Sequence, residues 1–111
     1  MFAYEIPGMR FSLPAGADIA RRRFVSVDAS SNGVAATAAT QVVGVSMNEV
    51  KAGQVLEVAD GIVMVEAAAA ITAGAAVYAS ADGKAAATGD KVVGTALTTA
   101  TGAGEIITVK M

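Results

Sequence analysis

Short runs of β-branched and aromatic residues, punctuated by Gly, Asn and Asp, set the hydrophobic pattern of this chain. Phe2, Tyr4 and Ile6 alternate with Ala3 and Glu5, a period of two that predicts an extended N-terminal arm, and Pro7-Gly8 breaks it. Phe24-Val25-Ser26-Val27 predicts a strand, as do residues 34–38, 41–47, 55–58 and 62–65, and later 76–79, 84–88, 91–97 and 105–110. Ser31-Asn32-Gly33, Ala52-Gly53, Asp60-Gly61 and Asp82-Gly83 predict the turns between them. Gly33 is placed for a positive φ and Asp60-Gly61 for a hairpin. Alanine favours helix, so single helical turns are expected after Asp18 and within residues 66–71. Val, Thr and Gly recur too densely for longer helices. Turn signals about every 8–12 residues predict an all-β fold, a small barrel or sandwich.

The pattern occurs twice. Val27-Asp28-Ala29-Ser30-Ser31-Asn32-Gly33 returns as Val77-Tyr78-Ala79-Ser80-Ala81-Asp82-Gly83, and Val42-Val43-Gly44 as Val92-Val93-Gly94, both at an offset of 50 residues. After a slip of one, Gly53 to Val58 answers Gly104 to Val109. A repeat of this length is one supersecondary unit used twice, and two units predict a pseudo-symmetric domain rather than a solenoid. The expected organisation is an arm at 1–12 ahead of a single β domain at 13–111, with repeat one at about 24–60 and repeat two at about 74–110. On this alignment Gly16 lies 11 residues before Val27, whereas Gly74 lies 3 before Val77. That predicts an insertion in repeat one, carrying Asp18, Arg21, Arg22 and Arg23.

Composition narrows the picture. The chain has 26 Ala and 15 Val against 3 Phe, 2 Tyr and no Trp, so the core is thin and association with further copies is a natural way to add burial. A net charge of −2 gives no global attraction to nucleic acid or an anionic membrane. The absence of Cys excludes disulfides and thiolate metal sites, and the absence of His removes the commonest general base and metal ligand. The alanine run at 67–70 is too short to span a bilayer, and Glu5, Pro7 and Arg10 do not suit a signal peptide. A soluble protein made in a cytoplasm is expected.

Little catalytic inventory is left. Asp60 with Glu66, or Asp82 with Asp90, are the candidate carboxylate pairs, but each sits at a turn or strand edge, where acids are ordinarily solvated. Asp28, Asn32, Asp82 and Asp90 do not have the spacing of a calcium loop and suit Asx turns. No enzyme, cofactor or metal is expected. The mid-chain hairpin Asp60-Gly61 carries no Lys, which argues against a lipoyl or biotinyl carrier. Arg21-Arg22-Arg23 is the one charge cluster. It suits either an internal or solvated role or a carboxylate-gripping contact with a partner protein. Phe2, Tyr4 and Ile6 suit either a strand closing the domain's own sheet or an arm added to a partner's sheet. The second is preferred, because Pro7-Gly8 uncouples them from the repeat.

Ile71-Thr72-Ala73-Gly74-Ala75-Ala76-Val77-Tyr78-Ala79-Ser80-Ala81-Asp82-Gly83-Lys84, then Val93-Gly94-Thr95-Ala96, then Gly104-Glu105-Ile106-Ile107-Thr108-Val109, resembles the capsid-cement, or head-decoration, family of tailed bacteriophages over about residues 24–110. The resemblance implies a small β-rich homo-oligomer, trimeric in many members. It would sit on the outside of an icosahedral head, with the major capsid protein as partner and the virion surface as location. The candidate capsid contacts are Phe2, Tyr4, Ile6, Arg10, Arg21, Arg22 and Arg23. The arm and the arginines lie outside the matching blocks and rest on their own chemistry. The alternative is a surface adhesion or carbohydrate-binding module, for which only two Tyr and three Phe could supply stacking.

Overall fold

The β-branched runs form strands, and Gly53, Gly74, Gly83 and Gly104 turn the chain between them at positive φ. A computed structural model describes residues 3–111, and every regular element in it is a strand. The strands are β1 (Ile6–Pro14), β2 (Phe24–Val27), β3 (Gly33–Ala35), β4 (Gly44–Ser46), β5 (Val55–Glu66), β6 (Ala76–Ala79), β7 (Ala85–Ala86), β8 (Gly94–Ala96) and β9 (Ile106–Lys110). All strand pairs are antiparallel, in the order β3-β2-β4-β5-β9-β8-β6-β7, with β1 added to β5; the sheet curls into a half-barrel.

The predicted hairpin at Asp60-Gly61 is instead the middle of β5, a single strand of 12 residues. Gly61 has φ +97, and a Cβ there would lie 2.5 Å from the Gly8 nitrogen. The Asp60 carboxylate accepts the Met9 N–H at 2.9 Å, so a register shift in β1 passes the point where the strand was expected to break. The two expected helical turns are bridges. Ile19 exchanges backbone hydrogen bonds with Val50 at 2.9 and 3.0 Å, and Ile71 with Ala100 at 3.0 and 2.9 Å, each isoleucine 2% exposed. Burying a large side chain prevails over the helix propensity of the neighbouring alanines.

The repeat is real, but its opening blocks align differently. Bridge Ala15–Gly33 matches Ala67–Ala85, bridge Ile19–Val50 matches Ile71–Ala100, and the pair Val25–Gly44 matches Val77–Gly94. The first partners are therefore offset by 52 residues, and the offset falls to 50 between β3 and β4. No insertion is needed: Ala15 to Val25 and Ala67 to Val77 are equal in length. Arg22 (φ 63) occupies the place of Gly74 (φ 90), and Ser31 (φ 66) that of Gly83 (φ 73). Gly33, expected at positive φ, lies in β3 instead. The equivalence also runs back into β1, whose pairing with the first half of β5 matches the pairing of the second half of β5 with β9. One strand thus ends repeat one and begins repeat two.

Two apolar clusters follow from this. Ala15, Ile19, Val25, Val50, Leu56 and Val58 fill repeat one. Their counterparts Ala67, Ile71, Val77, Ala100, Ile107 and Val109 fill repeat two. The second cluster is extended by Phe24, Val45 and Ala59 from the reverse face of repeat one, all 0% exposed, so repeat one is the lid on repeat two. The residues corresponding to that lid, Ala76, Thr95 and Lys110, are exposed.

Candidate functional site

The arginine cluster folds at the junction of the repeats, where its members diverge. Arg21 is exposed. Arg22 holds its left-handed backbone by donating its N–H to the Ser46 carbonyl and accepting from Glu66 N–H, at 2.9 and 3.0 Å. Arg23 turns inward and its guanidinium meets Glu66 Oε1 at 3.1 Å, while Lys84 Nζ meets Glu66 Oε2 at 3.2 Å. Burial pushes the Glu66 carboxyl up, but the Lys84 hydrogen bond and the charges of Arg23 and Lys84 outweigh it and hold the group below its ordinary value. Phe24 N–H donates to the Gly83 carbonyl beside this cluster, at 2.6 Å. The internal role considered for the arginines is therefore the one Arg23 fills.

The N-terminal candidates lie along β1 and just ahead of it; Phe2 is outside the described residues. The Tyr4 backbone is clasped by one buried hydroxyl, Thr108 Oγ1, which accepts the Tyr4 N–H and donates to the Tyr4 carbonyl, both at 2.6 Å. The side chains of Tyr4 and Ile6 face solvent, 42% and 62% exposed. Ile6 pairs with Ile62, and Arg10, opposite Ala59, is exposed and in no ion pair among the described residues. The structure does not gather the candidates into one pocket. It strings Tyr4, Ile6 and Arg10 along one edge and sets Arg21 and Arg22 at the repeat junction. Sequence reasoning missed Met9 and Val55, 62% and 63% exposed, and the half-buried Phe11 and Leu13. The alternation of Met9, Phe11 and Leu13 carried that signal, but it fell across the assumed end of the arm.

Of the carboxylates singled out earlier, Glu66 is paired with Arg23 and Lys84, Asp60 accepts the Met9 N–H, and Asp82 and Asp90 make no hydrogen bond or ion pair among the described residues. Asp28 accepts N–H groups from Ser30 and Asn32, both at 2.9 Å, forming an Asx turn. Among the described residues no group of three or more acidic side chains could hold a metal ion.

The fold is an all-strand half-barrel whose inner charges join its repeats, with Tyr4, Ile6 and Met9 exposed along and just ahead of β1 and Val27, Val55 and Val92 exposed elsewhere. The family model for phage cement protein matches residues 6–111, and the chain belongs to the phage cement protein family, whose members decorate the phage capsid. Among solved structures it is similar to the head fiber gp8.5 N base of bacteriophage phi29. That likeness has a TM-score of 0.80 and 22% identity, and covers 93% of this chain and 92% of that one, a likeness of fold. No protein of curated function matches it in sequence.

Proposed function

We propose that this chain binds the outer surface of an icosahedral phage head as a cyclic homotrimer and stabilises the expanded shell without catalysis. The family match over residues 6–111 carries the reading. A protein that binds the expanded shell and not its precursor stabilises it by mass action. Three modest contacts on one rigid trimer gain effective concentration, so no single contact need be strong. Tyr4, Ile6, Arg10, Arg21 and Arg22, with Phe2, are the contacts, the arginines meeting shell carboxylates. Arg23 is held by Glu66 and joins only by exchanging one carboxylate for another. The major capsid protein is the partner, and assembly onto the head follows synthesis in the host cytoplasm.

The test is to add the purified chain to expanded heads that lack it, count bound copies against shell protein by quantitative mass spectrometry, and follow head disruption on heating. A simple copy ratio and a raised disruption temperature are expected. Absence of binding would overturn the reading. Removal of residues 1–5 should weaken binding while leaving the circular dichroism of the domain unchanged.

A further inference from the structure

The leading strands of the two repeats, β1 and residues 58–66 of β5, end up in different surroundings. In repeat two the outward edge is closed: Ile62 pairs with Ile6, and Glu66 N–H reaches the Arg22 carbonyl. The inner side is closed too, with Val63 and Val65 fully buried under the lid from repeat one. In repeat one the corresponding edge is met only at its end, where Ala15 bridges Gly33 and Gly16 N–H donates to the Gly33 carbonyl at 2.9 Å; at Arg10 and Ser12 it has no backbone partner among the described residues. Glu57 gives its N–H to Asn48 and its carbonyl to Met47, so its pair with Ser12 is of the non-hydrogen-bonded kind. The N–H and C=O of Ser12, and by the same alternation of Arg10, therefore point away from β5. Pro14, next along that edge, has no N–H to satisfy, as suits an edge strand. Phe11 and Leu13, the counterparts of Val63 and Val65, are only half-buried, and Met9 beside them is 62% exposed.

An open edge flanked by exposed apolar side chains is a template for another strand. We propose that the edge of β1 accepts an extended strand of the capsid shell protein, which exchanges backbone hydrogen bonds with Arg10 and Ser12 and completes repeat one as repeat one completes repeat two. The inference rests on the capsid-binding reading above. Self-pairing of β1 is isologous and serves a two-fold axis, so it cannot operate in a cyclic trimer, and each edge is left to the shell. The uncommitted charge of Arg10 selects a strand with a carboxylate opposite it and an apolar residue beside Phe11.

Residue-resolved amide hydrogen exchange on the full chain, free and bound to expanded heads, tests this. The Arg10 and Ser12 amides should exchange quickly in the free protein and slow at least tenfold on heads, with Phe11 and Leu13 slow in both states. Ser12→Pro should weaken binding about tenfold, while Ser12→Thr, which keeps the N–H, should not. Bound protein whose Arg10 and Ser12 amides still exchange at the free rate would overturn the strand pairing and leave capsid binding standing. Protection already present in the free protein at assembly concentration would assign the edge to a second copy and equally overturn it. Failure to bind heads at all would instead overturn the reading beneath it.

Discussion

Repeat one and repeat two share a fold but not an environment, and their differences follow which face is covered. Phe24, Val45 and Ala59 in repeat one correspond to Ala76, Thr95 and Lys110 in repeat two, a lid in one place and a solvent face in the other. Inside, repeat one again carries the larger side chains. Phe11, Leu13 and Val50 fill repeat one, where Val63, Val65 and Ala100 suffice in repeat two, because repeat one lacks a lid and larger side chains occupy part of the space one would take. A duplicated unit can therefore close one copy with the other, and it leaves one copy open.

The strongest way to break this comparison is Phe24→Ala. It removes the largest lid residue and should cost about 3–5 kcal/mol, whereas Ala76→Ser at the equivalent exposed place should be near neutral, both read by urea unfolding. Gly83→Ala comes next. Its φ of +73 and the Phe24 carbonyl 2.5 Å from the new Cβ should destabilise by roughly 2 kcal/mol, while Ser31→Gly at the matching turn should stabilise.

Glu66→Gln breaks the charge that joins the repeats and should cost about 1–2 kcal/mol near neutral pH. The folded-state pKa of Glu66 is depressed, so its contribution is complete above the unfolded carboxylate pKa and is lost as pH falls through the folded value. The variant should therefore show a flatter acid limb in stability against pH than the parent, and equal slopes would sink this account of the junction. The smallest effect is Arg22→Gly. Relief of a left-handed arginine should stabilise the fold by about 1 kcal/mol. If Arg22 is kept for a shell carboxylate, the same change should weaken head binding; unaltered binding would remove it from the contact set.

The strand-rich class, the twofold repetition and most strand positions were legible because period-two runs bounded by turn residues have few other ways to fold. The register was not. Val42-Val43-Gly44 and Val92-Val93-Gly94 do correspond, but repeat two is two residues shorter between its third and fourth strands, so an offset of 50 fails upstream of them. Asn32-Gly33 and Asp82-Gly83 then act as a false anchor. Ser31 adopts the left-handed turn that glycine was expected to take, with Asp28 accepting hydrogen bonds from both flanking amides. The arginines read as one cluster, but backbone direction separates them, and only the fold brings Glu66 and Lys84 to Arg23. The open edge depends on which way the carbonyl and N–H of Glu57 point, and composition carries no trace of that.

The continuous β5 has a mechanical meaning for a protein of a capsid-decorating family. Because this one strand belongs to both repeats, a pull on either is carried to the other by covalent backbone, and the non-covalent junction around Glu66 is spared. Along β5 the hydrogen bonds to β1 and β9 would be loaded together in shear, whereas a sideways pull would open them one by one. The same stretch of chain is thus tough along its length and weak across it, and the orientation of the protein on the head decides which of the two properties the shell experiences.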